Sequence, residues 1–201
     1  MISRSLFSAA VLLLAAVPAL AQTAPQQGQR QPLVANETKA VGDWTVRCFP
    51  IKSPSPCDMF ELLADKKNGN RVMSLSIAYV PQQDRHAIQI ALPLGVALAT
   101  GVQLQSDTFS SPLMRYRRCD RAGCYVEGLI DNASVDALAR SQGQAKVKFS
   151  AYGGRDYALP FSLNGFSEAR NTMMDLARSH VKLAAATAPT APDAATPGNP
   201  Q

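Results

Sequence analysis

The sequence is poor in the residues from which most enzyme sites are built. It has two histidines, His86 and His180, and neither lies in a catalytic motif such as G-x-S-x-G, so we interpret both as surface or interface residues. Its Asp and Glu residues number 15, and no spacing among them indicates the acid pair of a glycosidase. Gly153-Gly154 lacks the lysine and helix that follow a phosphate-binding loop. The sequence predicts no catalytic residue and no cofactor.

Long apolar segments are missing everywhere except near the first residue. The run from Leu6 to Val17 is shorter than the roughly 20 residues of a membrane-spanning helix. Arg4 precedes it and the small-x-small sequence Ala19-Leu20-Ala21 follows it, which is the form of a secretory signal. We therefore expect residues 1–21 to be a signal peptide, and we expect an exported chain with no transmembrane segment after cleavage.

The two ends of the mature chain have compositions that disfavour a packed core. Residues 22–36 are rich in Gln and Pro, and residues 184–201 consist mainly of Ala, Thr and Pro. We predict a disordered linker and a disordered tail around one domain at residues 37–183. The formal charge of +5 falls to +4 without Arg4, and this mildly basic balance favours association with acidic surfaces such as lipopolysaccharide or anionic lipid.

The four cysteines predict disulfides. They are Cys48, Cys57, Cys119 and Cys124, and an even count in an exported protein favours pairing. Of the three possible connectivities, the local one, Cys48 with Cys57 and Cys119 with Cys124, closes two short loops. A zinc site is the alternative, but the spacings of eight and four residues miss the C-x-x-C pattern. We predict two disulfides and no metal site.

The segment 116–127 predicts a hairpin clamped by one of these disulfides. Asp120 and Gly123 suit its turn, because Asp bonds its own backbone and Gly tolerates a positive φ.

A cluster of basic residues in this hairpin is the candidate binding surface: Arg115, Arg117, Arg118 and Arg121. Strand alternation places Arg115 and Arg117 on one face, and arginine suits phosphate or carboxylate. The alternative is a solvated strand face that prevents edge pairing. No aromatic residues of the stacking kind interleave with these arginines, so we expect no nucleic-acid partner.

Short alternating segments dominate the rest of the chain. We predict strands at 43–48, 58–64, 71–80, 88–92, 96–104 with an interruption at Gly101, 145–151 and 157–163. Helices are predicted after Asp131, and from Asn164 or Ser167 to about Lys182. The fold class is therefore mainly β: an antiparallel sandwich or barrel-like domain with two short peripheral helices, stapled by disulfides.

Several motifs resemble the invasion-associated locus B family of exported Gram-negative proteins, over about residues 41–176. They are Gly42-Asp43-Trp44-Thr45-Val46-Arg47-Cys48 with Cys57, Leu92-Pro93-Leu94-Gly95-Val96, Tyr116-x-x-Cys119 with Gly123-Cys124, and Leu159-Pro160-Phe161-Ser162-Leu163-Asn164-Gly165-Phe166. The resemblance implies a periplasmic or outer-membrane-associated protein named for a virulence role in host-cell invasion. The family has no established catalytic residues to carry over.

Two functional hypotheses follow. The first is an exported non-catalytic envelope protein that binds an envelope protein, or an anionic envelope or host surface, and contributes to host-cell invasion. The second is an exported enzyme, or an inhibitor of one, that acts on a cell-wall or polysaccharide substrate. A cleft with two carboxyl groups about 5 to 10 Å apart would favour the enzyme.

Overall fold

The computed structural model describes residues 34–50 and 53–186. The predicted signal peptide, almost all of the predicted linker and most of the predicted tail lie outside these residues. The described chain forms ten strands and two helices. None of the described helices is long and apolar enough to span a membrane.

The strands form two open antiparallel sheets. The large sheet has the order β1-β2-β3-β4-β5-β8-β7 and the small sheet the order β10-β9-β6. The strands are β1 (Glu37–Val41), β2 (Trp44–Cys48), β3 (Cys57–Ala64), β4 (Arg71–Val80), β5 (Arg85–Leu92), β6 (Val102–Gln105), β7 (Tyr116–Asp120), β8 (Gly123–Ile130), β9 (Gln144–Ser150) and β10 (Asp156–Ser162). The mainly β class is confirmed, and the sheets do not close into a barrel within the described ranges.

Two parts of the strand pattern differ from the prediction. Strand β1 was not predicted, because its first four residues are all exposed and so carry no alternation. The predicted strand at 96–104 survives only as β6, while Val96 makes a single bridge to Ala151 and Leu98 is 53% exposed. Left-handed conformations at Gly95 (φ 93°) and Gly101 (φ 70°) turn the chain on both sides of this segment.

The two helices pack on the sheets as their apolar spacing predicts. Helix α1 (Asn132–Arg140) begins after Asp131, whose carboxylate accepts the N–H of Ser134 at 2.7 Å. Helix α2 (Phe166–Ala186) begins between the two predicted caps and is longer than predicted. Its buried residues, Phe166, Ala169, Met173 and Ala177, lie on the side that meets β2, β3 and β4.

One hydrophobic cluster joins both sheets and both helices. Trp44 of β2 is 1% exposed, and its ring meets those of Phe161 in β10 and Phe166 in α2 edge-on, at 6.5 and 5.2 Å between centroids. The indole N–H donates to the carbonyl of Ser162 at 3.0 Å. Trp44 therefore connects the large sheet, the small sheet and α2 at a single point.

Two glycines allow this point of contact to form. Gly42 and Gly165 meet backbone to backbone, and both have a positive φ, of 57° and 77°. A Cβ on Gly42 would lie 2.5 Å from the carbonyl oxygen of Asn164, and one on Gly165 would lie 2.7 Å from that of Val41. The N–H of Asp43 donates to the Asn164 carbonyl across the same contact at 3.3 Å. We call this region, residues 41–44 with 161–166, the glycine junction.

Two carboxyl groups converge on Ser162 within the glycine junction. The Ser162 N–H donates to both carboxyl oxygens of Glu61 at 3.0 Å, and the Ser162 hydroxyl donates to Asp43 at 2.6 Å. Burial raises the pKa of Glu61 to about 7, an effect that the Ser162 N–H opposes and the charge of Asp43 reinforces. The folded chain therefore holds a proton on Glu61 at a pH where an unfolded chain has lost it.

Both predicted disulfides are present, and no cysteine is free. Cys48 pairs with Cys57 between β2 and β3, and Cys119 pairs with Cys124 between β7 and β8. In each case the bonded residues lie directly opposite each other in the antiparallel register. By the chain-entropy model each bridge stabilises the fold by about 2 to 3 kcal/mol.

We predict that Gly42→Ala lowers the free energy of unfolding by about 3 kcal/mol, because the new methyl group meets backbone that cannot move aside. Gly69→Ala is the matched control: Gly69 has a φ of 71°, but a Cβ added there would have no neighbouring atom within 4 Å. That change should cost about 1 kcal/mol from the backbone conformation alone. Urea unfolding of both variants measures the difference, and equal losses would contradict the close contact.

We also predict a pH dependence that Glu61 imposes on stability. Between the ordinary value of 4.5 and the folded value of about 7, the unfolded chain releases the Glu61 proton while the folded chain keeps it. The free energy of unfolding contributed by this group therefore falls as the pH rises through that window. In Glu61→Gln this decline should be smaller by about 1 to 2 kcal/mol, a figure reduced for partial solvation.

The measurement is chemical unfolding of wild type and Glu61→Gln across the window. The exposed Glu168 of α2 supplies a control, since Glu168→Gln removes a carboxylate without touching the glycine junction. A decline with rising pH that is equally steep in Glu61→Gln and in wild type would show that Glu61 does not retain its proton.

Candidate binding surface

The hairpin of β7 and β8 forms one edge of the large sheet. Its turn is held by Asp120, whose carboxylate accepts the N–H of Ala122 at 2.8 Å. At the foot of the turn Gly123 has a φ of 146°, and a Cβ there would lie 2.3 Å from the carbonyl oxygen of Leu92. Arg71 of β4 also donates to the Ala122 carbonyl. The hairpin tip thus contacts the body of the sheet at two points, Arg71 of β4 and Leu92 of β5.

The structure places the four predicted arginines on this hairpin or beside it, and all four are exposed. The register shifts between Tyr116 and Arg118, so Arg117 lies in a β-bulge. The bulge interrupts the alternation from which a shared face for Arg115 and Arg117 was predicted. We call Arg115, Arg117, Arg118 and Arg121 the arginine hairpin.

Arg118 is neutralised within the fold. Its guanidinium pairs with Asp120 at 2.5 Å and with Glu127 at 3.0 Å, and it lies over the ring of Tyr125 at 3.8 Å. The N–H of Ala122 and then the Arg118 guanidinium hold the pKa of Asp120 below its usual range. The contacts of Arg118 therefore stabilise the hairpin, and its charge is less available to a binding partner than an unpaired charge would be.

The other three arginines of the arginine hairpin have no such counterions among the described residues. Arg115, Arg117 and Arg121 form no ion pair with any residue in the described part of the chain. Guanidinium groups present a planar array of donors that matches phosphate and carboxylate. The surface can therefore accept an anionic group without first breaking an internal ion pair.

Each of the two histidines contacts a side chain from a distant part of the sequence. His86 is fully buried, which corrects its interpretation as a surface or interface residue, and its Nδ1 meets the side-chain oxygen of Asn132 at 2.8 Å. Burial lowers the pKa of His86. His180 lies 3.2 Å from a carboxylate oxygen of Glu37.

His180 lies near two cysteines, and histidine and cysteine are common metal ligands. One of its ring nitrogens lies within 4.8 Å of the sulfurs of Cys48 and Cys57. These sulfurs are bonded to each other, and thiolates rather than disulfide sulfurs are the ligands that zinc takes. The oxidised protein therefore offers no thiolate at this position, and the group does not form a metal site in the disulfide-bonded chain.

Sequence reasoning missed the carboxyl pair of Asp43 and Glu61. Ser162 lies 119 and 101 positions from these residues, so no spacing could bring the three together. The only sequence signal is that Asp43 and Ser162 both lie in motifs of the family resemblance.

The carboxyl pair bears on the enzyme hypothesis, which requires a cleft that holds two carboxyl groups. The open clefts of the described surface include one near the helices and one on the small sheet. One of about 420 Å³ lies between the end of α1 and the start of α2, and one of about 160 Å³ lies beside Tyr157 on the small sheet. Neither cleft is lined by Asp43 or Glu61. Both carboxyl groups are instead engaged with Ser162, and this arrangement stabilises the glycine junction.

Comparison with known proteins gives concordant results. The family model described as invasion associated locus B (IalB) protein matches residues 44–174. Invasion protein B homologs from two strains of Brucella abortus are each 25% identical over 136 residues, which are 68% of this chain and 78% of each relative. The crystal structure of invasion associated protein b from Bartonella henselae is similar with a TM-score of 0.60 and 25% identity, over 71% of this chain and 99% of that one.

The motifs of the resemblance meet in pairs in the structure. Residues 42–44 pack on residues 161–166 at the glycine junction, and Leu92 packs on Gly123 at the hairpin foot. The cysteines among these motifs form the two disulfides. The motifs of the resemblance thus lie at the contacts that join the elements of the fold, and the family model, which matches more than half of the chain, shows that the chain belongs to the invasion associated locus B family.

Proposed function

We propose that this protein is an exported, non-catalytic envelope protein that binds an anionic partner through the arginine hairpin. The observation that carries the proposal is a set of three exposed arginines that form no ion pair with the residues described by the structure, Arg115, Arg117 and Arg121, beside one that is neutralised. Phosphate and carboxylate groups of an envelope component are the partners that such a surface fits best.

Edge protection explains only part of this cluster. Charged side chains and a β-bulge on β7 discourage another strand from pairing with the sheet, which accounts for Arg117 and Arg118. Arg115 precedes β7 and Arg121 lies in the turn, so neither is on the strand that needs protection. Binding accounts for the arginines that edge protection leaves unexplained.

The names of the relatives support a role of the proposed binding in invasion. Their names, Invasion protein B homolog in Brucella abortus and invasion associated protein b in Bartonella henselae, associate those proteins with invasion. We extend this association to the present chain: after export to the periplasm or outer membrane, partner binding by the arginine hairpin contributes to host-cell entry.

We predict that the hairpin variant Arg115→Gln/Arg117→Gln/Arg121→Gln loses its partner. A tagged chain is cross-linked in its native envelope and its partners are identified by mass spectrometry. Recovery should fall at least about tenfold, since a charge-assisted contact contributes roughly 1.5 to 3 kcal/mol and the loss of even one such contact weakens binding by about that factor.

The control removes the same charge from another surface. Lys146→Gln/Lys148→Gln/Arg155→Gln changes three exposed residues of the β9–β10 hairpin, which form no ion pair among the residues with assigned positions. This variant should retain the partner. An equal loss in both variants would indicate non-specific charge attraction, and no loss in either would contradict binding through the arginine hairpin.

We also predict that the exported protein begins at Gln22, because Ala19-Leu20-Ala21 is the expected cleavage site. Intact-mass measurement of the protein from a periplasmic fraction tests this. A full-length chain confined to the cytoplasm would contradict both the signal peptide and the proposed location.

A further inference from the structure

The two disulfides differ sharply in exposure. Cys48 and Cys57 are 0% and 1% exposed, so the bridge between them lies inside the core. Cys124 is 4% exposed, but its partner Cys119 is exposed on the edge strand β7. Of the four cysteines of the chain, all of which the structure describes, Cys119 alone is open to solvent.

The charges around Cys119 favour reaction with a thiolate. Arg118 precedes it, Arg117 and Arg121 lie two residues away on either side, and the latter two carry no counterion within the described chain. Thiol–disulfide exchange proceeds by thiolate attack, and negative charge is shared among three sulfurs as it occurs. Neighbouring cations stabilise that charge and attract anionic reagents. The negative charge of Asp120 weakens this stabilisation only slightly, because its carboxylate is already bonded to Arg118 and to the Ala122 N–H.

We propose that the Cys119–Cys124 disulfide is a reversible exchange site for small anionic thiols, whereas Cys48–Cys57 is a permanent structural bridge. The inference requires no partner protein, so it does not rest on the proposed binding function.

The exchange forms one S–S bond and breaks another. The thiolate of the small thiol attacks the Cys119 sulfur and forms a new S–S bond. The Cys119–Cys124 bond breaks, and Cys124 leaves as a thiolate that takes a proton from water. The small thiol has been oxidised to the level of a disulfide, and Cys124 has been reduced. Attack by the Cys124 thiolate on Cys119 reverses the step and expels the small thiolate.

The fold holds Cys124 ready for this reversal. It lies directly opposite Cys119 in the antiparallel register, and the neighbouring Gly123 packs on the carbonyl of Leu92. The Cys48–Cys57 bridge joins β2 and β3, which are separated from the β7–β8 hairpin by β4 and β5 in the strand order of the large sheet. The exposed cysteine therefore carries the adduct, and the buried cysteine resolves it.

The test compares two monothiols of opposite charge on the oxidised mature chain. Glutathione is anionic and cysteamine is cationic, and rates are expressed per thiolate. Samples are quenched and alkylated at intervals, and adducts are mapped by mass spectrometry. We expect glutathione on Cys119 and alkylation on Cys124 at least about tenfold faster than any reaction at Cys48 or Cys57, because exchange requires access to the sulfur.

Charge substitution supplies the second measurement. In Arg117→Gln/Arg121→Gln the ratio of the glutathione rate to the cysteamine rate should fall at least about threefold, and Lys146→Gln/Lys148→Gln should leave the ratio unchanged. Circular dichroism confirms that each variant is folded.

Three outcomes would overturn the proposal. Reaction of both disulfides at one rate that rises with added denaturant would show that exchange occurs only from unfolded chains. Adducts that form first on Cys124 would contradict the assigned roles. A charge ratio that is the same in wild type and in Arg117→Gln/Arg121→Gln would show that the arginines do not direct the reaction.

Discussion

The close approach of Gly42 and Gly165 is the constraint on which the rest of the structure depends. Because neither residue has a side chain, two backbone segments touch, and Trp44 can then reach Phe161, Phe166 and the Ser162 carbonyl. This single contact joins the start of β2, the end of β10 and the start of α2. At this contact the large sheet, the small sheet and the long helix meet in one shared hydrophobic core.

Local features of the fold were predictable from the sequence, and long-range ones were not. Alternation identified most strands, and the turn residues identified the β7–β8 hairpin and its disulfide. Strand β1 escaped because it lies at an exposed edge and has no alternating pattern. The burial of His86 and the raised pKa of Glu61 were not predicted, because both result from the way distant parts of the chain enclose these side chains and not from their neighbours in the sequence.

The candidate binding surface, too, was predictable in its local features and not in its long-range contacts. The clustering of four arginines within seven residues is visible in the sequence. Their division into one neutralised side chain and three without an ion pair in the described ranges is not visible there, because it depends on the β-bulge at Arg117 and on the register that places Glu127 beside Arg118. The motifs of the resemblance form the glycine junction and the disulfides, whereas they do not include the arginines of the proposed binding surface.

Trp44 gives the protein a built-in optical reporter. It is the single tryptophan of the chain, it is almost fully buried, and its indole N–H is bonded to the main chain of β10. Indole emission depends on the polarity around the ring and on this hydrogen bond. The intrinsic fluorescence of the protein therefore reports on one location, the meeting point of β2, β10 and α2, and separation of these elements changes the signal even where the individual strands persist.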